Sequence, residues 1–163
     1  MNTLGVILRK PTAKDGLSVH QLITRTPELD SNSSYCNLLQ CSHFADTSII
    51  AEKQGVILGF ISGYLKPNTP QTLFIWQVAV SSDARGCGLG SQMLQQLLER
   101  EENASITHLE TTITETNKAS WALFNRLAER FDAPLERSVM FDRITHFNDE
   151  HDSELLARIG PLA

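Results

Sequence analysis

The residues best suited to chemistry lie in one short run, Arg85-Gly86-Cys87-Gly88-Leu89-Gly90-Ser91. It stands between the apolar segment Leu73-Phe74-Ile75-Trp76-Gln77-Val78-Ala79-Val80 and a stretch in which Met93, Leu94, Leu97 and Leu98 recur at helical spacing. Glycines let a backbone turn tightly and come close to a ligand. The first turn of a following helix offers N–H groups without intrahelical partners and the positive end of the helix dipole. With the charge of Arg85 added, this composition suits a pyrophosphate. A loop that merely joins a strand to a helix would use glycine as well. Two other phosphate loops do not fit. No Gly-Lys-Ser/Thr follows, as a Walker loop requires. The spacing Gly86-x-Gly88-x-Gly90 lacks the extra residue before the third glycine of a dinucleotide fingerprint, and the loop follows the fourth predicted strand, not the first.

The remaining reactive side chains set limits. Five histidines (His20, His43, His108, His146, His151) and three cysteines (Cys36, Cys41, Cys87) show no metal-ligand spacing, so no metal is expected. An odd cysteine count without a Cys-x-x-Cys pair fits reduced thiols and a cytoplasmic location. Fourteen Lys and Arg stand against nineteen Asp and Glu, a net charge of −5, which argues against a nucleic-acid partner and is compatible with a small cationic one. No apolar run approaches the roughly 20 residues of a membrane span. Met-Asn-Thr-Leu-Gly-Val has no basic region before a long apolar stretch, so no signal peptide is expected. The 163 residues, 41% hydrophobic, predict one domain over 1–163 with a core that needs no staples.

The elements that must hold this loop follow from hydrophobic period and turn chemistry. Val6–Leu8 predicts a short strand and Thr12 opens a helix bearing Leu17, Val19, Leu22 and Ile23. A polar loop over 26–34 leads to a second helix over 35–43. Strands over 47–52 and 56–65 flank a Lys53-Gln54-Gly55 turn, a hairpin signal. Residues 73–80 read as a central strand buried on both faces. After the loop and its helix come a β-branched strand over 106–113, a helix over 118–130 and a short strand over 139–141. Ser153–Ile159 reads as a terminal helix. The alternation predicts a mixed α/β domain.

Arg85-x-x-Gly88-x-Gly90 resembles the acyl-CoA-binding signature of the GNAT superfamily of N-acetyltransferases, Gln/Arg-x-x-Gly-x-Gly/Ala. Asn117-Lys118-Ala119-Ser120-Trp121-Ala122-Leu123-Phe124 resembles its second element, an Asn opening a later helix, and Ile7 to Asp15 its first strand and turn. The resemblance spans the chain from the first strand through Phe141 and implies the GNAT fold, an α/β (α+β) domain whose central mixed, mostly antiparallel sheet is flanked by helices. Within the superfamily, Asp30-Ser31-Asn32-Ser33-Ser34-Tyr35-Cys36, Ser62-Gly63-Tyr64-Leu65-Lys66-Pro67 and Phe74-Ile75-Trp76-Gln77-Val78-Ala79-Val80 look like the L-2,4-diaminobutyrate acetyltransferases of ectoine synthesis. That likeness implies acetyl transfer from acetyl-CoA to the 4-amino group of diaminobutyrate by direct attack in a ternary complex. It also implies a homodimer formed through a helix face. An acetyltransferase for another small diamine or amino acid, or a non-catalytic acyl-CoA-binding module, would share the same motifs.

The resemblance also assigns roles. Arg85, Gly86, Cys87, Gly88, Leu89, Gly90 and Ser91 would hold the pyrophosphate. Val78 and Val80 would pair with the pantetheine arm, with a strand N–H near Val78 polarising the thioester carbonyl. Asn117 and Ser120 would contact the same arm. An alkylammonium has a pKa of about 10.4, so a base must take its proton near neutrality. Glu154, His151 and Asp30 are the candidates. The ammonium left unmodified needs a carboxylate, Asp30 or Glu154. Trp76 would form a pocket wall and Tyr35 would offer its hydroxyl to the substrate; core filling and a half-buried helix position are the alternative readings. Asp149 to Glu154 also reads as a solvated acidic segment, and Asp30 as a capping residue. Many superfamily members protonate the leaving thiolate with a Tyr where this chain has Phe124, which leaves Tyr35, Tyr64 or water for that step. Ala128 replaces a usual Gly, which changes packing alone. A covalent acetyl-cysteine route through Cys87 is disfavoured, because the matched motif uses that position for its N–H at the phosphates.

Overall fold

A computed structural model describes residues 5–26 and 29–162. The strands are β1 (Ile7–Arg9), β2 (Ile49–Lys53), β3 (Val56–Lys66), β4 (Thr69–Val80), β5 (His108–Thr114), β6 (Leu135–Phe141) and β7 (Glu154–Ile159). The helices are α1 (Gly16–Thr24), α2 (Ser34–Ser42), α3 (Leu89–Glu99) and α4 (Lys118–Arg130). The strands join in one mixed sheet in the order β1-β2-β3-β4-β5-β7-β6. β1 with β2, β2 with β3, β5 with β7 and β6 with β7 run antiparallel, and β4 with β5 runs parallel. The chain packs as two compact units, one from the described residues of Met1–Tyr64 and Trp76–Ala104, the other from those of Leu65–Ile75 and Ser105–Ala163.

The first unit forms around an apolar cluster. Val19, Leu22 and Ile23 of α1 meet Cys41 of α2, Ile50 of β2, Ile57 and Phe60 of β3 and Ala79 of β4. Leu29, in the loop before α2, packs against this cluster. The spacing of α1's apolar residues follows the helical period, so one face enters the core. Gly16 lets α1 and α2 approach, because a Cβ there would lie 2.5 Å from Leu38 Cδ2. The Ser33 hydroxyl accepts from the Cys36 N–H at 3.0 Å and starts α2. Asp15 takes the Thr12 N–H at 2.7 Å and both ends of the Arg9 guanidinium at 2.8 Å. Thr12 therefore opens a 3-10 turn over Ala13–Asp15, and α1 begins one step later than its sequence signal.

In the second unit β7 lies between β5 and β6. Leu109–Thr114 pair with Glu154–Ile159 on one side, and Leu135–Phe141 pair with the same strand on the other. Glu110 is 2% exposed and its carboxylate is held by Lys66 Nζ at 3.1 Å and by Arg158 Nη1. The Asn117 side chain caps α4 by accepting the Ser120 N–H at 3.2 Å. Trp121 is buried, donates from Nε1 to the Thr114 carbonyl at 3.1 Å, and carries the Arg137 guanidinium 3.9 Å over its ring.

Three sequence expectations are corrected. Ser153–Ile159 is not a helix; from Glu154 it is strand β7, with Ala157 and Ile159 fully buried at period two. Residues 73–80 are not buried on both faces, since Leu73, Ile75 and Ala79 are buried while Trp76 is 44% exposed. The strand expected over 139–141 starts at Leu135.

Candidate active site

β4 leads directly into the glycine loop. The Ser81 N–H donates to the Leu58 carbonyl at 2.7 Å, fixing the end of the strand. A 3-10 turn over Ser82–Ala84 follows, closed by the Ala84 N–H on the Ser81 carbonyl at 2.9 Å. Arg85 is exposed, its Nε 3.5 Å from the Val80 carbonyl. Gly86 and Gly88 hold φ of +80° and +77°. An L residue in that region costs about 1–2 kcal/mol. A Cβ at either position would meet nothing within 4 Å, so torsion requires glycine here and crowding does not. The same openness leaves the backbone accessible to a ligand. Between them, the Cys87 thiol donates to the Ala84 carbonyl at 2.9 Å.

α3 then starts at Leu89, with Gly88 as its N-cap, no capping side chain and no acidic residue in its first turn. Its leading N–H groups therefore face neither a cap nor a carboxylate of that turn, the arrangement an anion requires. Buried Leu89, Met93, Leu94 and Leu97 anchor the helix, while Gly90 and Ser91 stay half-buried at its entrance.

The same unit holds Asp30, Tyr35, Trp76, Val78 and Val80. Asp30 is exposed, in the loop before α2. That loop is tied to β4 through Gln77, whose Nε2 donates to the Asp30 carbonyl at 3.2 Å and whose Oε1 accepts from Asn32 Nδ2 at 3.1 Å. Tyr35 lies in the first turn of α2 and is 67% exposed. The Trp76 ring meets Tyr64 edge-on at 6.1 Å, and Tyr64 in turn meets Phe44 at 5.8 Å. The register of β4 with β5 covers Thr72–Ile75 and ends there, with Trp76–Val80 continuing β4 beyond it. Val78 and Val80 are half-buried on that continuation.

Asn117, Ser120, His151 and Glu154 belong to the second unit. Glu154 is the first residue of β7, paired with Thr114 of β5 and Phe141 of β6. Its partner Thr114 stands three residues before Asn117, the N-cap of α4. His151 Nδ1 lies 2.6 Å from the Asp152 carbonyl. A carbonyl only accepts, so Nδ1 carries the proton and Nε2 is the basic nitrogen of the neutral ring. The Phe147 ring lies 4.6 Å from that of His151. The strap between β6 and β7 is organised by Arg143. Its N–H donates to Ser153 Oγ at 2.8 Å, its Nε to Asp149 Oδ1 at 2.5 Å, and its Nη1 to Asp152. Asp142 is held below the usual carboxylate range by the N–H groups of Thr145 and Ile144.

Phe124 is 1% exposed in the core and has no hydroxyl to donate. Two features escaped the sequence reading, the Asn32–Gln77–Asp30 clamp and the Arg143 strap. The clamp had one signal, a glutamine within an otherwise apolar strand; its partners lie 45 and 47 residues away. Among the described residues no group of three His, Cys, Asp or Glu side chains could hold a metal, and no helix is long and apolar enough to cross a membrane.

The acetyltransferase (GNAT) family model matches residues 17–128. The chain belongs to the GNAT family. Relatives named L-2,4-diaminobutyric acid acetyltransferase share about half of its residues. The one from Methylotuvimicrobium alcaliphilum is 51% identical over 157 residues, covering 96% of this chain and 91% of the relative. The one from Vibrio cholerae is 52% identical over 153 residues, covering 94% and 88%. Among solved structures, the diaminobutyrate acetyltransferase EctA of Paenibacillus lautus, in complex with L-2,4-diaminobutyric acid and coenzyme A, superposes with a TM-score of 0.91 at 40% identity. It covers 96% of this chain and 95% of that one. The mixed seven-stranded sheet with four helices is thus the GNAT fold that the glycine loop implied.

Proposed function

We propose that this chain transfers the acetyl group of acetyl-CoA to the 4-amino group of L-2,4-diaminobutyrate, giving N4-acetyl-L-2,4-diaminobutyrate for ectoine synthesis. The likeness to the Paenibacillus lautus enzyme, bound to both diaminobutyric acid and coenzyme A, carries this reading. The whole 1–163 chain serves as one acetyltransferase domain.

The chemistry assigned to the residues is direct transfer. Arg85, the N–H groups of 86–91 and the start of α3 bind the pyrophosphate. Glycine torsions at Gly86 and Gly88 aim those donors. Asn117 uses Oδ1 for the α4 cap, so Nδ2 is the group it offers the pantetheine arm, beside Ser120. The Val78 N–H polarises the thioester carbonyl, and Val80 pairs with the arm. His151, through Nε2, or Glu154 takes a proton from the 4-ammonium. The neutral amine attacks the carbonyl carbon, the C–N bond forms, the C–S bond breaks and the thiolate leaves. The nitrogen sheds its second proton as the amide forms, and Tyr35 or water passes a proton to the thiolate, since Phe124 cannot. For the 2-ammonium, Asp30 and Glu154 are the candidate carboxylates, and Trp76 is assigned as an apolar pocket wall.

Val139, Met140 and Phe141 on β6, with Ile144 after it, leave apolar side chains exposed, which supports a homodimer through this strand as an alternative to the helix face that the resemblance implies. The three unpaired thiols support a reducing, cytoplasmic location.

Thiol release from acetyl-CoA with diaminobutyrate, ornithine, lysine and spermidine tests the proposal, with the acetyl position read by NMR. Preference for diaminobutyrate with acetyl on N4 is expected. Turnover on the others alone would replace the substrate, and no turnover on any would leave a non-catalytic acyl-CoA-binding module.

A further inference from the structure

Gln77 is the side chain of β4 between Trp76 and Val78, one the proposed wall of the amine pocket and the other the proposed carbonyl donor. It makes two hydrogen bonds to one loop. Its Nε2 donates to the Asp30 carbonyl at 3.2 Å and its Oε1 accepts from Asn32 Nδ2 at 3.1 Å. An amide can do both at once, because it carries a donor nitrogen and an acceptor oxygen on the same carbon. The loop it grips has few other ties. Leu29 packs on the core and the Ser33 hydroxyl caps α2, so residues 30–32 bridge two anchors with no sheet or helix of their own. Asp30 itself is exposed.

We infer that Gln77 is a positioning residue that holds the backbone at Asp30 on β4 and thereby sets recognition of the substrate's second ammonium by the Asp30 carboxylate. This rests on the reading that Asp30 meets that ammonium. A carboxylate on an unpinned loop must be ordered each time the substrate binds, and that ordering subtracts from affinity. With the Asp30 carbonyl held on β4, the backbone that carries the carboxylate is in place before the substrate arrives, and only the side-chain torsions remain to be ordered. The amide also acts at one remove from the reacting atoms, so its removal should weaken binding of the diamine and spare the transfer step.

The test compares Gln77→Leu, Gln77→Glu and Asp30→Asn with the unsubstituted enzyme. Leucine keeps the bulk and removes both bonds. Glutamate keeps the acceptor for Asn32 and replaces the donor to the Asp30 carbonyl with a second acceptor. Steady-state KM and kcat are measured for diaminobutyrate, and calorimetry of the CoA-loaded enzyme reads binding of diaminobutyrate and of 4-aminobutyrate, which lacks the 2-ammonium. Both Gln77 variants are expected to raise KM for diaminobutyrate about fivefold, the scale of one neutral hydrogen bond. The change in kcat should stay under about twofold on the same scale, with KM for acetyl-CoA and binding of 4-aminobutyrate unchanged. If Asp30→Asn weakens diaminobutyrate binding and neither Gln77 variant does, the clamp is overturned and the Asp30 reading stands. If Asp30→Asn has no effect, the Asp30 reading fails and the inference falls with it. Equal weakening of both ligands and of acetyl-CoA by a Gln77 variant would show a general distortion of β4 and also overturn the clamp.

Discussion

A single methyl group at Gly88 is a sharp probe of the loop. The position has open space but a φ of +77°, so Gly88→Ala opposes the torsion without a clash. A cost of about 1–2 kcal/mol would be relieved by shifting the loop, and a shifted loop binds pyrophosphate less well. We expect KM for acetyl-CoA to rise about tenfold on that scale, with KM for the amine little changed, in steady-state kinetics. The cysteines differ in the same local terms. Burial pushes the Cys41 thiol up to about 12, and raises Cys36 less. Cys41 should therefore resist a thiol reagent at pH 8 until the chain is unfolded, while Cys36 and Cys87 react. Acetyl-CoA should slow the labelling of Cys87 alone, and Cys87→Ala should retain turnover. At this scale the loop was legible in the sequence because its requirement is local: left-handed torsions call for glycine. The Gln77 clamp was not, because each of its bonds joins residues more than 40 positions apart.

At the scale of elements, the strap between β6 and β7 hangs on Arg143. Surface ion pairs contribute little singly, but this guanidinium joins Asp149 and Asp152 while its own N–H takes Ser153. Arg143→Gln should loosen the segment carrying His151 and Glu154. A severalfold loss of kcat/KM is expected at low ionic strength, and the gap between variant and unsubstituted enzyme should narrow as salt is raised, since salt screens a pair only where one exists. Packing of α1 on α2 gives a stability prediction. Gly16→Ala would set a Cβ 2.5 Å from Leu38 Cδ2 and 3.1 Å from Leu38 Cα. About 1–3 kcal/mol of destabilisation is expected from such overpacking, read by urea unfolding. Most elements were legible from period and turn residues, and α4 falls on the residues read for it. β7 was not, because Glu-Leu-Leu-Ala-Arg favours helix by intrinsic propensity. The slot between β5 and β6 overrides that preference by offering backbone partners on both sides. β6 was read too short because Glu136, Arg137 and Ser138 are polar, which an exposed edge strand tolerates.

For the whole molecule, acid stability has a named contributor. The Arg9 guanidinium, then the Thr12 N–H, hold the Asp15 carboxyl below its usual range despite partial burial. A carboxyl depressed on folding stabilises the native state above its unfolded pKa of about 3.9, and that stability is lost as pH falls through the lower folded value. Asp15→Asn should thus lower the urea midpoint at pH 7 and leave a shallower decline below pH 4. The proposed homodimer is tested on the exposed strand: light scattering should give a dimer mass for the unsubstituted chain and a monomer mass for Val139→Asp. The sheet order carries one more consequence. β5 and β6 are translated before β7, yet they are not neighbours; the strand that separates them is the last of the seven to leave the ribosome. Until it emerges, β5 has one bare edge and β6 has no partner at all. Until β7 pairs, a chaperone or another nascent chain is its competitor for the bare edge of β5.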